Sequence, residues 1–462
     1  MLIFKLRIYM ITKANINNFL PLGMIKVGLL SFLSLIFVSC DDFLDITPTG
    51  KVIPSTLEEY RDLISYEYNN FVTDRYMTTI RTDEVRLTAR TSSEDLDAYL
   101  DLWLWKDEAP SPTTTYFSWR TYYHNIYIAN YIIEHRSSIT NGAADAVSQL
   151  MGEAYMMRAY SHFLLVNLFA QPYTHCTPAS TRGVPLMLEA DVNAVPRSSS
   201  VEAVYQQVLS DLDEASKYMK TEKWGEGLNY RFNTTSVNAL RARTYLYMGE
   251  WEKAYTAAKA VIDSWGELED LKSSTSKMPT APESVENIVA LEHFSTNMST
   301  VINTVNNDLL GKYRDGDYRK AKYYNTSSST ATLLKSDGYC TFRSAEAYLT
   351  AAEALAQSGQ TAEAIAQLLP LLNKRLSASA LQTAEDLMVG MTQAELLQEI
   401  YDERARELAF EGHRWYDLRR TTQPQLVRVY AGTTYTLTPE KYTMKFPTEA
   451  VEANPEIEIW DE

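Results

Sequence analysis

Few residues in this 462-residue chain have the type and spacing that chemistry needs, and Cys40 is the clearest. It closes the run MIKVGLLSFLSLIFVSC (24–40). Lys26 supplies a positive start and Val27–Val38 a largely apolar stretch. That stretch suits the apolar region of a signal peptide and is short for a bilayer span, which needs ~20 residues. Small residues directly before a Cys, here Val38 and Ser39, resemble the site where a thiol is acylated and the peptide is cut before it. Phe37 departs from the Leu that is usual three places before the Cys. The expectation is a start at Met24, a signal peptide through residue 39, a lipid on Cys40 that anchors the chain to a membrane, and a linker over 40–54.

The remaining candidates for chemistry are weak. The six His do not form a pair four apart around a Glu, as a zincin helix needs. The chain has no Gly-rich phosphate loop and no nucleophile elbow. Acidic pairs such as Asp41-Asp42 and Asp461-Glu462 read as solvated charge. The expectation is therefore no catalytic residue, no metal and no cofactor. Cys176 and Cys340 either pair or sit as unpaired small hydrophobes, and the unpaired reading is preferred. His413 reads as a local hydrogen-bonding residue. Glu411, Arg414 and Asp417 read as a structural ion-pair network at a helix junction.

The chain carries 31 Tyr and 8 Trp, an excess that binding would explain. Sugar rings have apolar C–H faces that stack on Trp and Tyr, while their hydroxyls need polar partners. Trp103 and Trp105 lie in DLWLWKDEAPSP (101–112), beside a Pro-rich loop. In an extended segment, alternate residues share a face, so both are candidate platforms. Simple packing is the alternative. Trp119, Tyr123 and Tyr127 read as a core stripe.

The elements that must hold these residues are mostly helices. Apolar positions recur at helical spacing in 55–68, 115–134, 152–173, 200–219, 234–263, 345–376 and 392–420. Ser55 with Glu58, and Thr392 with Glu395, have capping-box spacing. Asp402 and Arg406 are spaced to pair on one helix face. Gly249 and Gly359 each break a long pattern into two. With small residues at 254, 257 and 258, the first of these reads as a tetratricopeptide-type hairpin. Gly412 is expected to end its helix. Residues 264–342 are less regular, and the tail suggests a minor hairpin near TYTL (434–437). The expected fold class is mostly α: tetratricopeptide-like helix hairpins with irregular insertions and minor β, as a single domain over 55–462. The hydrophobic fraction is 45%, ample for a large core. The net charge of −16 argues against a nucleic-acid partner.

Five stretches together resemble the SusD/RagB family of nutrient-binding outer-membrane lipoproteins. They are CDDFLD (40–45), GEAYMMRAYSHFLLVNLFAQPY (152–173), SAEAYLTAAEAL (344–355), DERARELAFEGHRWYDLRR (402–420) and KYTMKFPTEAVEANPEIE (441–458). The resemblance implies four tetratricopeptide-like units and a lid-like receptor on a SusC-type TonB-dependent transporter. The implied role is capture of a glycan, oligosaccharide or peptide without cleavage. Asp41 and Asp42 resemble a surface-export signal of such lipoproteins. The family's variable regions imply further ligand-face candidates: Tyr76, Arg81 and Asp83 in RYMTTIRTDE (75–84), and Tyr313 and Tyr318 in KYRDGDYRK (312–320). A glycan is the preferred ligand. A protein-interaction scaffold or a peptide-binding lipoprotein of the same fold is the alternative.

Overall fold

Helix boundaries follow from where the backbone finds its first and last partners. The computed structural model describes residues 53–458, apart from 73, 89–90, 108–109, 295–303 and 336–337. Cys40 and the signal segment lie outside these residues. Helix α1 (Leu57–Asn69) opens on a capping box one residue later than expected, Thr56 with Glu59 rather than Ser55 with Glu58. The Glu59 carboxylate accepts from the N–H groups of both Ser55 and Thr56, at 2.7 and 3.0 Å, so it closes the turn that Glu58 would have missed. Helix α2 spans Ser93–Trp103.

Helix α3 (Arg120–Glu134) starts later than the apolar pattern suggests. Just before it, the Thr115 N–H donates to the Ala98 carbonyl at 2.9 Å, and the Ser118 N–H donates to the Asp74 carboxylate. Backbone groups committed there cannot begin a helix.

Helix α4 (Ala144–Phe169) is buried along most of its length and packs against α3 and α5 (Val201–Tyr218). Helices α6 (Thr234–Met248) and α7 (Trp251–Trp265) form the expected hairpin around Gly249, at φ 76°. Helices α8 (Ser344–Gln357) and α9 (Thr361–Asn373) repeat it around Gly359, at φ 78°. Alanines at 254, 257 and 258 are buried where α7 meets its neighbours, which lets helix axes approach closely. Helices α10 (Ala378–Val389), α11 (Gln393–Glu407) and α12 (Arg414–Arg420) complete the set. The residues from Pro54 onward make up one compact unit.

The irregular stretch between the hairpins is organised by short antiparallel strand pairs. They are β3 (Asn287–Val289) with β8 (Phe342–Arg343), β4 (His293–Phe294) with β7 (Gly338–Tyr339), and β5 (Tyr324–Asn325) with β6 (Thr332–Leu333). Another pair joins β1 (Arg182–Pro185) to β2 (Ser198–Ser200). The tail forms the expected hairpin, β9 (Leu426–Tyr430) and β10 (Thr433–Leu437), turned at Ala431 and Gly432 with both φ positive.

A buried charge network joins the hairpins to the irregular region. Glu407, at the end of α11, accepts from Arg319 at 3.0 Å, Arg343 at 2.8 Å and Arg375 at 2.8 Å. Arg343 also reaches Glu286 and Glu411, at 2.9 and 2.7 Å. Burial alone would push the Glu407 carboxyl up, but Arg375 and Arg343 hold it well below the usual carboxylate range.

The expected Asp402–Arg406 pair is not made. Asp402 binds Lys312 at 2.5 Å, and Arg406 turns inward to Glu399 and Glu403. Glu411, Arg414 and Asp417 are all ion-paired as anticipated, but each with a different partner: Arg343, Asp83 and Arg404. Cys176 and Cys340 are unpaired, and burial pushes the Cys340 thiol up to about 12.

Helix α11 stops at Glu407, five residues before Gly412. Gly412 has another duty. It sits at φ 69°, where an added Cβ would lie 2.4 Å from the Arg75 carbonyl oxygen. Gly359 has a similar φ of 78° but open space around it. Gly359→Ala should therefore cost only the left-handed strain, about 1–2 kcal/mol. Gly412→Ala should cost that and a further ~1–3 kcal/mol of steric conflict with backbone. Urea unfolding midpoints of the two variants check the order, and equal losses would contradict the close approach at Arg75.

Candidate functional site

Most of the residues singled out as ligand contacts are buried. Trp103 and Trp105 are 7% and 1% exposed. They do not lie on an extended segment, because α2 runs through Trp103 and Trp105 takes a left-handed turn at φ 56°. The turn points its indole inward, where Nε1 donates to the Arg81 carbonyl at 2.9 Å. The Arg428 guanidinium lies 4.5 Å from the Trp103 ring and 4.3 Å from the Trp105 ring. It also donates to the carbonyls of Ile80, Trp103 and Thr82. The platform expectation for this pair is thus corrected: both indoles hold the tail hairpin to the N-terminal segment.

The other candidates follow the same pattern. The buried Tyr76 hydroxyl donates to the Cys340 carbonyl at 3.0 Å. Arg81 is fully buried and grips Asp107 through two bonds, of 2.7 and 2.9 Å. Asp83 is gripped in turn by Arg414, at 2.8 and 2.7 Å. Burial raises the Asp83 carboxyl, and Arg414 more than offsets that. Tyr313 is buried, with its hydroxyl on the Arg406 carbonyl at 2.7 Å. Only Tyr318, 39% exposed at the start of the short helix Tyr318–Tyr323, faces solvent. Tyr76, Arg81, Asp83 and Tyr313 hold the fold of their regions together.

The end of α2 and the residues after it nevertheless border an open groove of about 370 Å³, within the range typical of small-molecule sites. One wall is Leu102 near the end of α2 together with Lys106, Asp107, Pro110, Thr114, Tyr116 and Phe117. The other is the tail segment Met444–Thr448. Phe169 and Phe446 give it an aromatic floor. Phe446 is fixed by an edge contact to Trp119, with centroids 4.9 Å apart, and by the Arg182 guanidinium at 4.4 Å. Its segment is anchored where the Met444 N–H donates to the Leu168 carbonyl at 3.1 Å.

Tyr116 also lines the groove, 56% exposed and without a side-chain hydrogen bond among the described residues. The polar rim is held in place. The Thr114 hydroxyl donates to Asp101 at 3.0 Å, and the Lys106 ammonium lies 3.3 Å from the same carboxylate. Asp107 is held by Arg81. A rim fixed this way presents its groups without a large ordering cost. Tyr116 escaped sequence reasoning because helical spacing assigned 115–134 to one helix. The available signal was Pro110 and Pro112 just upstream, which favour an irregular lead-in.

Among the described residues, no group of three or more His, Cys, Asp or Glu is placed to hold a metal ion. No described helix is long and apolar enough to cross a membrane.

Helix hairpins with irregular insertions and short strand pairs, bordered by an aromatic-lined groove, define a mostly helical fold. The SusD family model matches residues 113–456, and the chain belongs to the SusD family. Its relatives include SusD-like protein P38 of Formosa agariphila, 26% identical, with the match covering 68% of this chain and 74% of the relative. A SusD superfamily structure from Bacteroides fragilis superposes with a TM-score of 0.72 at 21% identity, covering 88% of this chain and all of that one. A laminarin-binding SusD-like protein superposes at 0.60 with 19% identity, covering 80% and 92% of the two chains.

One buried carboxyl beside the Asp83–Arg414 pair has a pH signature. Glu84 accepts from the Phe410 N–H at 2.9 Å and from the Thr82 hydroxyl, and burial pushes its carboxyl up to about 8. The folded state therefore keeps a proton that the unfolded chain releases near 4.5. Its stabilising contribution is complete below that pH and is lost as pH rises toward 8, by at most ~1.4 kcal/mol per pH unit. Glu84→Gln should match the natural chain in stability near pH 4.5 and exceed it near pH 8. Parallel stability curves for the two proteins over that range would contradict the assignment.

Proposed function

We propose that this protein is a non-catalytic surface lipoprotein that captures a glycan or oligosaccharide. In this reading Cys40 carries the lipid, and residues 40–54 tether the body beside a SusC-type TonB-dependent transporter in the outer membrane, which imports the ligand. One observation carries the binding role: the groove at Tyr116. It combines an exposed aromatic face with fixed hydroxyl, ammonium and carboxylate groups, which is what a sugar ring requires. Family membership supports the ligand class, since SusD-like relatives include a laminarin-binding protein.

Capture without cleavage is also favoured by the lining. Glycoside hydrolysis needs two carboxyl groups flanking the bond. Among the described residues of the groove, Asp107 is the only acid, and Arg81 already neutralises it.

Calorimetric titration of the purified chain against a panel of neutral oligosaccharides tests the reading. At least one should bind and be recovered uncleaved. Tyr116→Ala should weaken that binding about tenfold or more, or ~1.4 kcal/mol per factor of ten. A panel without any binder would favour a protein-binding scaffold, and cleaved sugar would end the non-catalytic reading.

A further inference from the structure

A second pocket, of about 320 Å³, lies at the turn ends of the two glycine hairpins and shares no residue with the groove at Tyr116. Trp251, the first residue of α7 after the Gly249 turn, lines it, and so does Gln357, the last residue of α8. Tyr401 from α11 and the segment after α12 close it, together with Thr174 and His175. With Leu246 of α6 and Arg420 of α12 it draws on five helices and does not depend on one loop.

Its polar groups are only partly used. The Gln357 amide donates to the Tyr401 hydroxyl at 2.9 Å, which leaves the amide oxygen and the phenol proton available. The His175 Nε2 is 2.7 Å from the Thr421 carbonyl and must donate there, which leaves Nδ1 as an acceptor. The half-buried Trp251 has an indole N–H without a protein partner among the described residues. Donors and acceptors therefore line the same pocket as an indole ring.

The pocket offers no free charge. Arg420 lines it, but its charge is already paired with Glu353 at 2.5 and 2.8 Å and with Asp417 at 2.8 Å. Arg404 completes that cluster with 2.9 Å to Asp417, so two cations meet two anions. An anionic ligand would find no uncommitted cation there. An apolar side chain would strip water from the unused donors and acceptors without replacing their bonds, which is costly. A neutral polyhydroxylated ring satisfies both demands: its C–H face covers an indole and its hydroxyls replace the lost water.

We infer that the pocket between Trp251 and Tyr401 is a separate binding site for one neutral monosaccharide unit. It stands independently of the groove at Tyr116. The test is saturation-transfer NMR on the purified full chain, with methyl glycosides of glucose, galactose and mannose, and with glucuronate as the charged control. In Tyr116→Ala, at least one neutral glycoside should still receive saturation from the protein. Adding Trp251→Ala should abolish that signal. Adding Gln357→Ala instead should weaken it severalfold, and this variant decides the matter if loss of the indole unfolds the chain. Glucuronate should bind more weakly than glucose. The inference is overturned if no glycoside binding survives Tyr116→Ala, if what survives is indifferent to both pocket variants, if glucuronate binds as well as glucose, or if tripeptides saturate the pocket and sugars do not.

Discussion

The fold depends on one carboxylate. Glu407 is fully buried and receives three guanidinium groups, from Arg319, Arg343 and Arg375. These come from distant parts of the sequence: a short helix in the irregular region, a strand at its end, and the turn after α9. A carboxylate without partners at this depth would be very costly, and so would any of the arginines. The whole set must assemble together or not at all. Removing any one member would leave a buried charge unpaired, which is strongly destabilising. The cluster also explains why Ser-, Thr- and Asn-rich text with little helical periodicity still takes a defined shape against the hairpins.

Much of the helical frame was legible in the residues. Gly249 and Gly359 marked their turns because a left-handed helix end favours glycine. Thr392 with Glu395 marked a helix start because the box satisfies two backbone N–H groups locally. Where the reading failed, the deciding partner lay far away in sequence. Ser118 donates to Asp74 and so delays α3. Asp402 found Lys312, and Arg406 found Glu403 already turned inward by Arg319. Spacing on one helix shows which side chains can meet, but it does not show which more distant group competes for them.

The site showed the same limit more sharply. Aromatic residues are numerous, yet the most conspicuous ones, Trp103 and Trp105, are structural. They mark the right neighbourhood: the groove lined by Tyr116 begins at the end of α2, beside them. What spacing could not supply was the turn at Trp105, which rotates the second indole inward. It also could not supply the tail segment around Phe446, which crosses from the far end of the chain to form the opposite wall. A groove built from residues more than 300 positions apart has no local sequence signal.

The clamp at Arg428 has a consequence for how the molecule comes into being. Its guanidinium binds carbonyls at Ile80 and Trp103, 348 and 325 residues earlier in the chain. The pocket between the two indoles that it fills cannot close until the tail hairpin has been synthesised. A chain emerging N-terminus first therefore carries its first third unfinished until nearly the last residues appear. Contacts of such long range make folding slow. Completion of that region waits for the whole molecule.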